Sequence, residues 1–599
     1  MRTLISDPPF PDDDPQVSDQ APWTERRAWP ADWVAPPQAL RLPVVICYRC
    51  RITLQSARRV RIHVSADERY RLTFDGRILG AGPERCSPER WSFETYDLDL
   101  TAGPHELRAL VWSLGPSAPW PQTSIRHGFL CAAQDPADRP LLTTGQAGWT
   151  CRQERAWSTL ETPAELGRGG GCGFSFDAGR PPGPWQAVRV VANATGPGVT
   201  YVGRPRHLLR PAMLPAPEER PIAGARARHA DAAAQSAGRI DADVNDAAVV
   251  AAWQRLLDGR EALHIPAGTT QRVVIDLGVY HCHRPRCRAV GRGGCIDLVY
   301  AEAGMRSADQ APLGKDRRDV VTGACLVGLR DEFHTGEHVQ RFTPLWWRAG
   351  RYVLVHAHAG EAELVIDRCQ FIATAYPLRI SAAWTADAQA TLWEACVRTL
   401  RCCLHETYMD CPYHEQLQYV ADVRIQALCG YVLSDDVRPQ QAALHHFDAS
   451  RCNQLGLVTS SHPNPGGQII PTFSLQAIGM LHDHLLWRGN AESLRPLLMG
   501  MRSTLERFLA ARDAQGFPRS LPGWNFIDAE GEDMPYGIPP GGQSGGRSTA
   551  IAWMLVTALD QAAILETACG ALEYARRWRR AAATVATVLL RDCWDAVRG

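Results

Sequence analysis

Near residue 380 the chain changes its pattern, and that switch bounds the folds open to it. Before it, short β-branched runs alternate with Gly, Pro and Asp turns. After it, apolar residues recur at helical spacing and strand signals are few. Arg58 to Pro83, RRVRIHVSADERYRLTFDGRILGAGP, reads as strands with a hairpin turning at Asp75 and Gly76, and HELRALVW, His105 to Trp112, continues that pattern. Residues 1–215 therefore suggest a jelly-roll β-sandwich, and 261–380 a second β-sandwich. The Ala-, Arg-, Pro- and Asp-rich stretch 216–260 reads as a linker with some helix. Candidate helices cover 385–406, 413–433, 436–449, 469–488, 491–513, 544–568 and 570–592. Helices joined by long Gly- and Pro-rich loops suit an (α/α)6 toroid over 381–599. These are seven helices where a closed toroid needs twelve, so the barrel is expected to be incomplete. Its unpaired faces would favour association, including homo-oligomers.

Composition narrows the function classes. The 599 residues are 45% hydrophobic and 21% charged, enough for several cores in more than one domain. Lys plus Arg equals Asp plus Glu at 64 each, and no basic stripe with interleaved aromatics occurs, which argues against a nucleic-acid partner. No run approaches eighteen uninterrupted apolar residues, which argues against a membrane partner. The start, MRTLISDPPFPDDDPQVSD, lacks a basic flank before an apolar core, so cytoplasmic residence is expected. The nineteen cysteines are odd in number and irregularly spaced, and are expected as reduced, often buried thiols. Cys47 and Cys50 form a lone C-x-x-C, short of the second pair a structural zinc site wants. His281, Cys282, His283 and Cys287 are denser. On a strand His281 and His283 face one side, where they could hold a metal or simply pack as a satisfied pair. No cofactor or metal is expected.

The chemistry concentrates in DCPYHEQLQYVAD, Asp410 to Asp422. Pro412 suits a first helical position, and the residues through Leu428 carry apolar groups at helical spacing. A helix from there would place Glu415, Tyr419 and Asp422 at i, i+4 and i+7 on one face, with Asp410 just before the first turn. Crowded acids and aromatic walls push a carboxyl toward its protonated form, as a general acid needs, while a helix N-terminus opposes that push at Glu415. An acidic first turn that merely stabilises a helix would give the same pattern, and spacing alone does not separate the two.

The segment resembles the signature of glycoside hydrolase family 78, the α-L-rhamnosidases of the six-hairpin glycosidase superfamily. Its usual form is Asp-Cys-Pro, an Arg, an acid, then Gly-Trp and a closing Asp. Asp410, Cys411, Pro412, Glu415 and Asp422 keep the pattern. His414 stands for the usual Arg, Tyr419 for Trp and Ala421 for Gly, which resembles a divergent, rhamnosidase-like branch. The resemblance extends to Val273–Gly304 and Phe342–Ala357, similar to the sandwich before the catalytic domain. It also covers Leu521–Gly546, similar to a barrel loop that lines the sugar pocket.

The resemblance implies Glu415 as the general acid, with Asp410 and Asp422 holding sugar hydroxyls and Trp524 and Asp528 lining the pocket. Trp524 could equally be a core tryptophan. Glu530, Glu532 and Asp533 read as a solvated loop edge. His414 and Tyr419 alter charge and apolar wall, and with them the hydroxyl preference. The family inverts the anomeric centre with an acid and an opposed base; the match to that base would lie beyond Gly599. The resemblance thus implies an exo-acting glycosidase with a carbohydrate substrate, truncated in its barrel. Two alternatives stand beside it: a non-catalytic carbohydrate-binding protein, and another six-hairpin glycosidase acting on fucosides or arabinosides.

Overall fold

The computed structural model describes residues 1–10, 28–162, 169–196, 207–232, 239–241, 243–306, 318–385, 389–529 and 531–597. Two compact units emerge. The first comprises residues 1–377, 397–406 and 411–416; the second comprises 378–396, 407–410 and 417–599.

In the first unit the described strands assemble into sheets of seven, six and eleven. Two of them make the N-terminal sandwich, and period-two alternation makes its core. Along Arg58–Asp67 the residues Val60, Ile62, Val64 and Ala66 all point inward, meeting Ile46, Tyr48, Leu107 and Val111 of the opposite sheet. Val44–Leu54 pairs with Gly103–Ser113 along its whole length. The expected hairpin joins Arg69–Phe74 to Arg77–Gly82, with Asp75 at φ 46° and Gly76 at φ 76°, the doubly left-handed turn whose twist suits adjoining strands. The Asp75 carboxylate fastens it by accepting from His105 Nδ1 and the Glu106 amide, each at 2.8 Å.

The eleven-stranded sheet is organised around Thr270–Val290, a strand long enough to pair with both Arg348–His358 and Leu364–Ala375. The helix Ala247–Leu257, capped by Asp246, buries Trp253 and Leu256 against it. Two expectations change here. Glu218–Pro221 and Arg226–Asp231 lie in the stretch expected as linker, yet pair with Leu364–Ala375 and Thr270–Val290. Trp157–Leu160 and Gly173–Asp177, expected in the first sandwich, join this sheet through Leu329–His334. The cause is aromatic burial: Trp157 and Phe176 pack on Phe342, and Phe176 on Phe333.

The second unit is helical: Val420–Leu433, Arg438–Ala449, Pro471–Arg488, Leu498–Ala510, Thr549–Ala568 and Leu572–Cys593. Pro471 opens one helix at a position where its missing N–H costs nothing, and Gly489 at φ 67° closes it. The expected helix 491–513 divides at Pro496, where a 3-10 turn over Arg495–Leu497 separates Ala491–Leu494 from Leu498–Ala510. Thr549–Ala568 is long and apolar enough to cross a bilayer. More than half of its most apolar window is nevertheless buried, and it packs on Pro471–Arg488 and Leu572–Cys593.

Candidate active site

The Asp410–Asp422 stretch is divided between the units, and the helix expected from Pro412 begins at Val420 instead. Residues 412–415 form a turn in which the Gln416 amide donates to Cys411 O at 3.0 Å, enclosing the four residues between them. Gln416 then adopts φ 58°, a left-handed step that no α-helix propagates through. Glu415, Tyr419 and Asp422 therefore do not share a helix face. Tyr419 is the N-cap and Asp422 sits in the first helical turn, so the dipole of that N-terminus falls on Asp422 rather than Glu415.

In the first unit the turn is anchored from four sides. Tyr413 is buried and donates through its hydroxyl to Tyr300 O at 2.8 Å. His414, half-buried, stacks edge-on against Tyr413 and lies 3.3 Å from the Glu302 carboxylate. The Glu415 amide donates to Cys411 Sγ at 3.4 Å, and its side chain is half-buried. Gln416 is buried and receives Arg85 twice and Trp346 once. The remaining approach is closed by glycine: a Cβ on Gly169 would stand 2.2 Å from both Glu415 Cα and His414 O.

In the second unit Asp410 is half-buried and bonds Leu417 twice, its amide to Leu417 O at 2.8 Å and the Leu417 amide to its Oδ1 at 3.0 Å. Gln418 donates to His462 O at 2.7 Å and the His462 amide returns a bond to Gln418 O, while Val420 N donates to Ser460 O. The helix start is thus laced to the segment 460–462. Burial lowers the His462 imidazole to about 4, so at neutral pH it is uncharged. In the loop, Trp524 is half-buried, donates its indole N–H to Tyr536 O at 2.9 Å and packs on Phe526. It is not a fully enclosed core tryptophan. Asp528 is exposed at φ 56°, Glu532 and Asp533 are exposed, and Glu530 lies outside the described residues.

Sequence reasoning missed Arg85, Trp346, Glu302, Gln416 and the Gly169–Gly170 pair. Of these only the run GRGGG, Gly167 to Gly171, carries a sequence signal, since consecutive glycines mark close backbone approach. The His281–Cys287 cluster resolves into structural contacts, with Cys282 Sγ on Cys402 O at 3.3 Å and His283 fully buried. Among the described residues no three His, Cys, Asp or Glu side chains converge as a metal site.

Residues 386–596 match the family model described as the bacterial alpha-L-rhamnosidase six-hairpin glycosidase domain. The chain carries a rhamnosidase-like six-hairpin domain. The fold agrees: a family 78 rhamnosidase of Bacillus sp. GL1 superposes with a TM-score of 0.75 at 16% identity, covering 96% of this chain and 78% of that one. The α-L-rhamnosidase of Aspergillus terreus gives 0.64 at 14%, with 97% and 63% covered. That of Streptomyces avermitilis, solved with L-rhamnose, gives 0.61 at 15%, with 92% and 49% covered. No curated protein sequence matches. The rhamnosidase-like architecture is thus β-sandwich layers in one unit and helical hairpins in the other.

Proposed function

We propose that this rhamnosidase-like chain hydrolyses terminal α-L-rhamnosides with inversion, Glu415 serving as general acid and water as nucleophile. One observation carries the reading. Glu415 stands half-buried on a turn whose neighbouring residues are all fastened, in the register where the rhamnosidase signature has its acid. A carboxyl carried on a backbone so held gives up less conformational freedom in meeting a leaving oxygen. Asp410, Asp422 and Tyr419 at the helix start, His414 beside Glu415, and Trp524 with Asp528 in the loop are the groups assigned to the sugar. A reducing compartment such as the cytoplasm fits the nineteen cysteines, all of them free thiols.

The test is release of sugar from a panel of aryl α-L-glycosides by the parent and by Glu415→Gln. On rhamnosides with poor leaving groups the variant should lose about 10²–10⁴-fold in kcat, the usual worth of a general acid, and far less on activated ones. Proton NMR of the fresh product should show the β-anomer first. Equal rates for parent and variant would remove Glu415 from the mechanism. Saturable rhamnose binding with no release from any substrate would assign the chain to glycan binding instead.

A further inference from the structure

Arg85 is far from the motif in sequence and 2% exposed. Its Nη1 donates to the Gln416 carbonyl at 3.1 Å and its Nη2 to Gln416 Oε1 at 2.7 Å, so one guanidinium grips backbone and side chain of the same residue. Gln416 passes the grip on. Its Nε2 donates to Pro412 O at 3.0 Å and its amide to Cys411 O at 3.0 Å, so the residue after Glu415 is tied to both residues at the front of the turn. Trp346 lies 5.1 Å beneath the Arg85 guanidinium and donates to the same Oε1 at 3.2 Å. Arg85 is itself held through its amide, which donates to Glu406 Oε2 at 3.0 Å, on a carboxylate that Arg69 clasps with two nitrogens. Burial pushes the Glu406 carboxyl up, but Arg69, with His405 and Arg85 behind it, more than offsets this and holds it down at about 2. The anchor is therefore ionised wherever the enzyme would work.

We infer that Arg85 is a positioning residue: through Gln416 it sets the shape of the Cys411–Gln416 turn and so the aim of the Glu415 carboxyl. The inference rests on the reading of Glu415 as general acid and extends it to a residue of the β-sandwich. An isolated left-handed Gln costs free energy that the turn must recover from outside, and Arg85 supplies three bonded atoms to that recovery with Trp346.

The experiment uses the full chain with Arg85→Met, Arg85→Lys and Trp346→Phe, the last keeping the ring while deleting one donor. Amide exchange at Gln416, whose N–H is closed onto Cys411 O, reads the turn directly. It should quicken at least about tenfold in Arg85→Met while the global unfolding temperature moves much less, and Arg85→Lys should recover part of the protection. On poor-leaving-group rhamnosides kcat should fall at least about tenfold with KM nearly unchanged. In a Glu415→Gln background Arg85→Met should cost nothing more, because the two act as a unit. Unchanged exchange at Gln416 in both Arg85→Met and Trp346→Phe overturns the inference whatever the activities. Multiplicative losses in the double variant overturn it too. Failure of the underlying reading shows separately, as full activity in Glu415→Gln with Arg85 intact.

Discussion

At the scale of single residues, the turn carrying Glu415 is exact because its neighbours leave no slack. Gly169 is the sharpest case: a methyl group there would overlap Glu415 Cα and His414 O at 2.2 Å, both backbone atoms that no rotamer change can move. Gly169→Ala should therefore displace the turn, lowering kcat on poor-leaving-group rhamnosides about tenfold or more and costing roughly 1–3 kcal/mol of stability, as overpacking does. Gly148→Ala, where a Cβ meets nothing within 4 Å, should stay within about 0.5 kcal/mol of the parent in the same denaturation series and keep its turnover. The order of the acids Asp410, Glu415 and Asp422 was legible in DCPYHEQLQYVAD. Their geometry was not. Pro412 suits a helix start on local grounds, but Gln416 finds tertiary donors in Arg85 and Trp346 that reward a left-handed step instead. Arg85 and Glu302 looked like any other charged residue in a β-rich segment, since nothing local marks a partner more than a hundred positions away.

At the scale of elements, the helices were the most legible part of the chain. Arg438–Ala449, Pro471–Arg488, Thr549–Ala568 and Leu572–Cys593 lie within a few residues of where periodicity, proline and glycine signals set them. The strands 218–221 and 226–231 were hidden because they are short and carry arginine and alanine where β-branched residues would have announced them. One helix also carries a contradiction that a sequence reading cannot resolve. Gly479 sits inside Pro471–Arg488, where alanine should gain about 1 kcal/mol in propensity. A Cβ there would instead stand 2.3 Å from the Arg424 guanidinium carbon. That guanidinium is pinned by Asp483 at 2.7 Å and Gln476 at 2.5 Å. Displacing it sacrifices charge-assisted bonds worth about 1.5–3 kcal/mol, so the loss wins. Gly479→Ala should lower stability by about 1 kcal/mol in urea titration. In an Arg424→Ala background the same change should become stabilising by about 0.5–1 kcal/mol, and the reversal of sign separates the clash from any general intolerance of the site.

At the scale of the whole molecule, buried titratable groups set the response to pH. In the first unit burial lowers His63, His283 and His405 to about 3 and His127 to about 4, against an ordinary value of 6.5. Each contributes stability that is complete above pH 6.5 and is lost as pH falls toward the folded-state value. The same unit buries Glu68, raised to about 8 against the pull of the Leu114 and Gly115 amides it accepts. It also buries Glu84, raised to about 7 by burial and then by Glu94. Their contribution has the opposite sign: complete below pH 4.5, and lost as pH rises through 7 to 8. From pH 6.5 down to 4.5 these histidines, with His281 lowered by burial as well, outweigh the raised carboxyls, so stability falls with acid. Above pH 6.5 the raised carboxyls act, and His105, raised by its bond to Asp75, works in the same direction. The first unit should therefore be most stable near pH 6.5 and weaken on both sides. In the second unit His462 and His484 are both lowered to about 4, by burial and, for His484, by Arg488 as well. Its stability should therefore fall with acid as well. Differential scanning calorimetry across pH 4.5 to 8 should show unfolding shift to lower temperature on acidification and, through Glu68 and Glu84, on the alkaline side too. Glu68→Gln keeps the shape and removes the titration, and should flatten that alkaline loss. An alkaline shift of equal size in the variant would mean that a group other than Glu68 sets it.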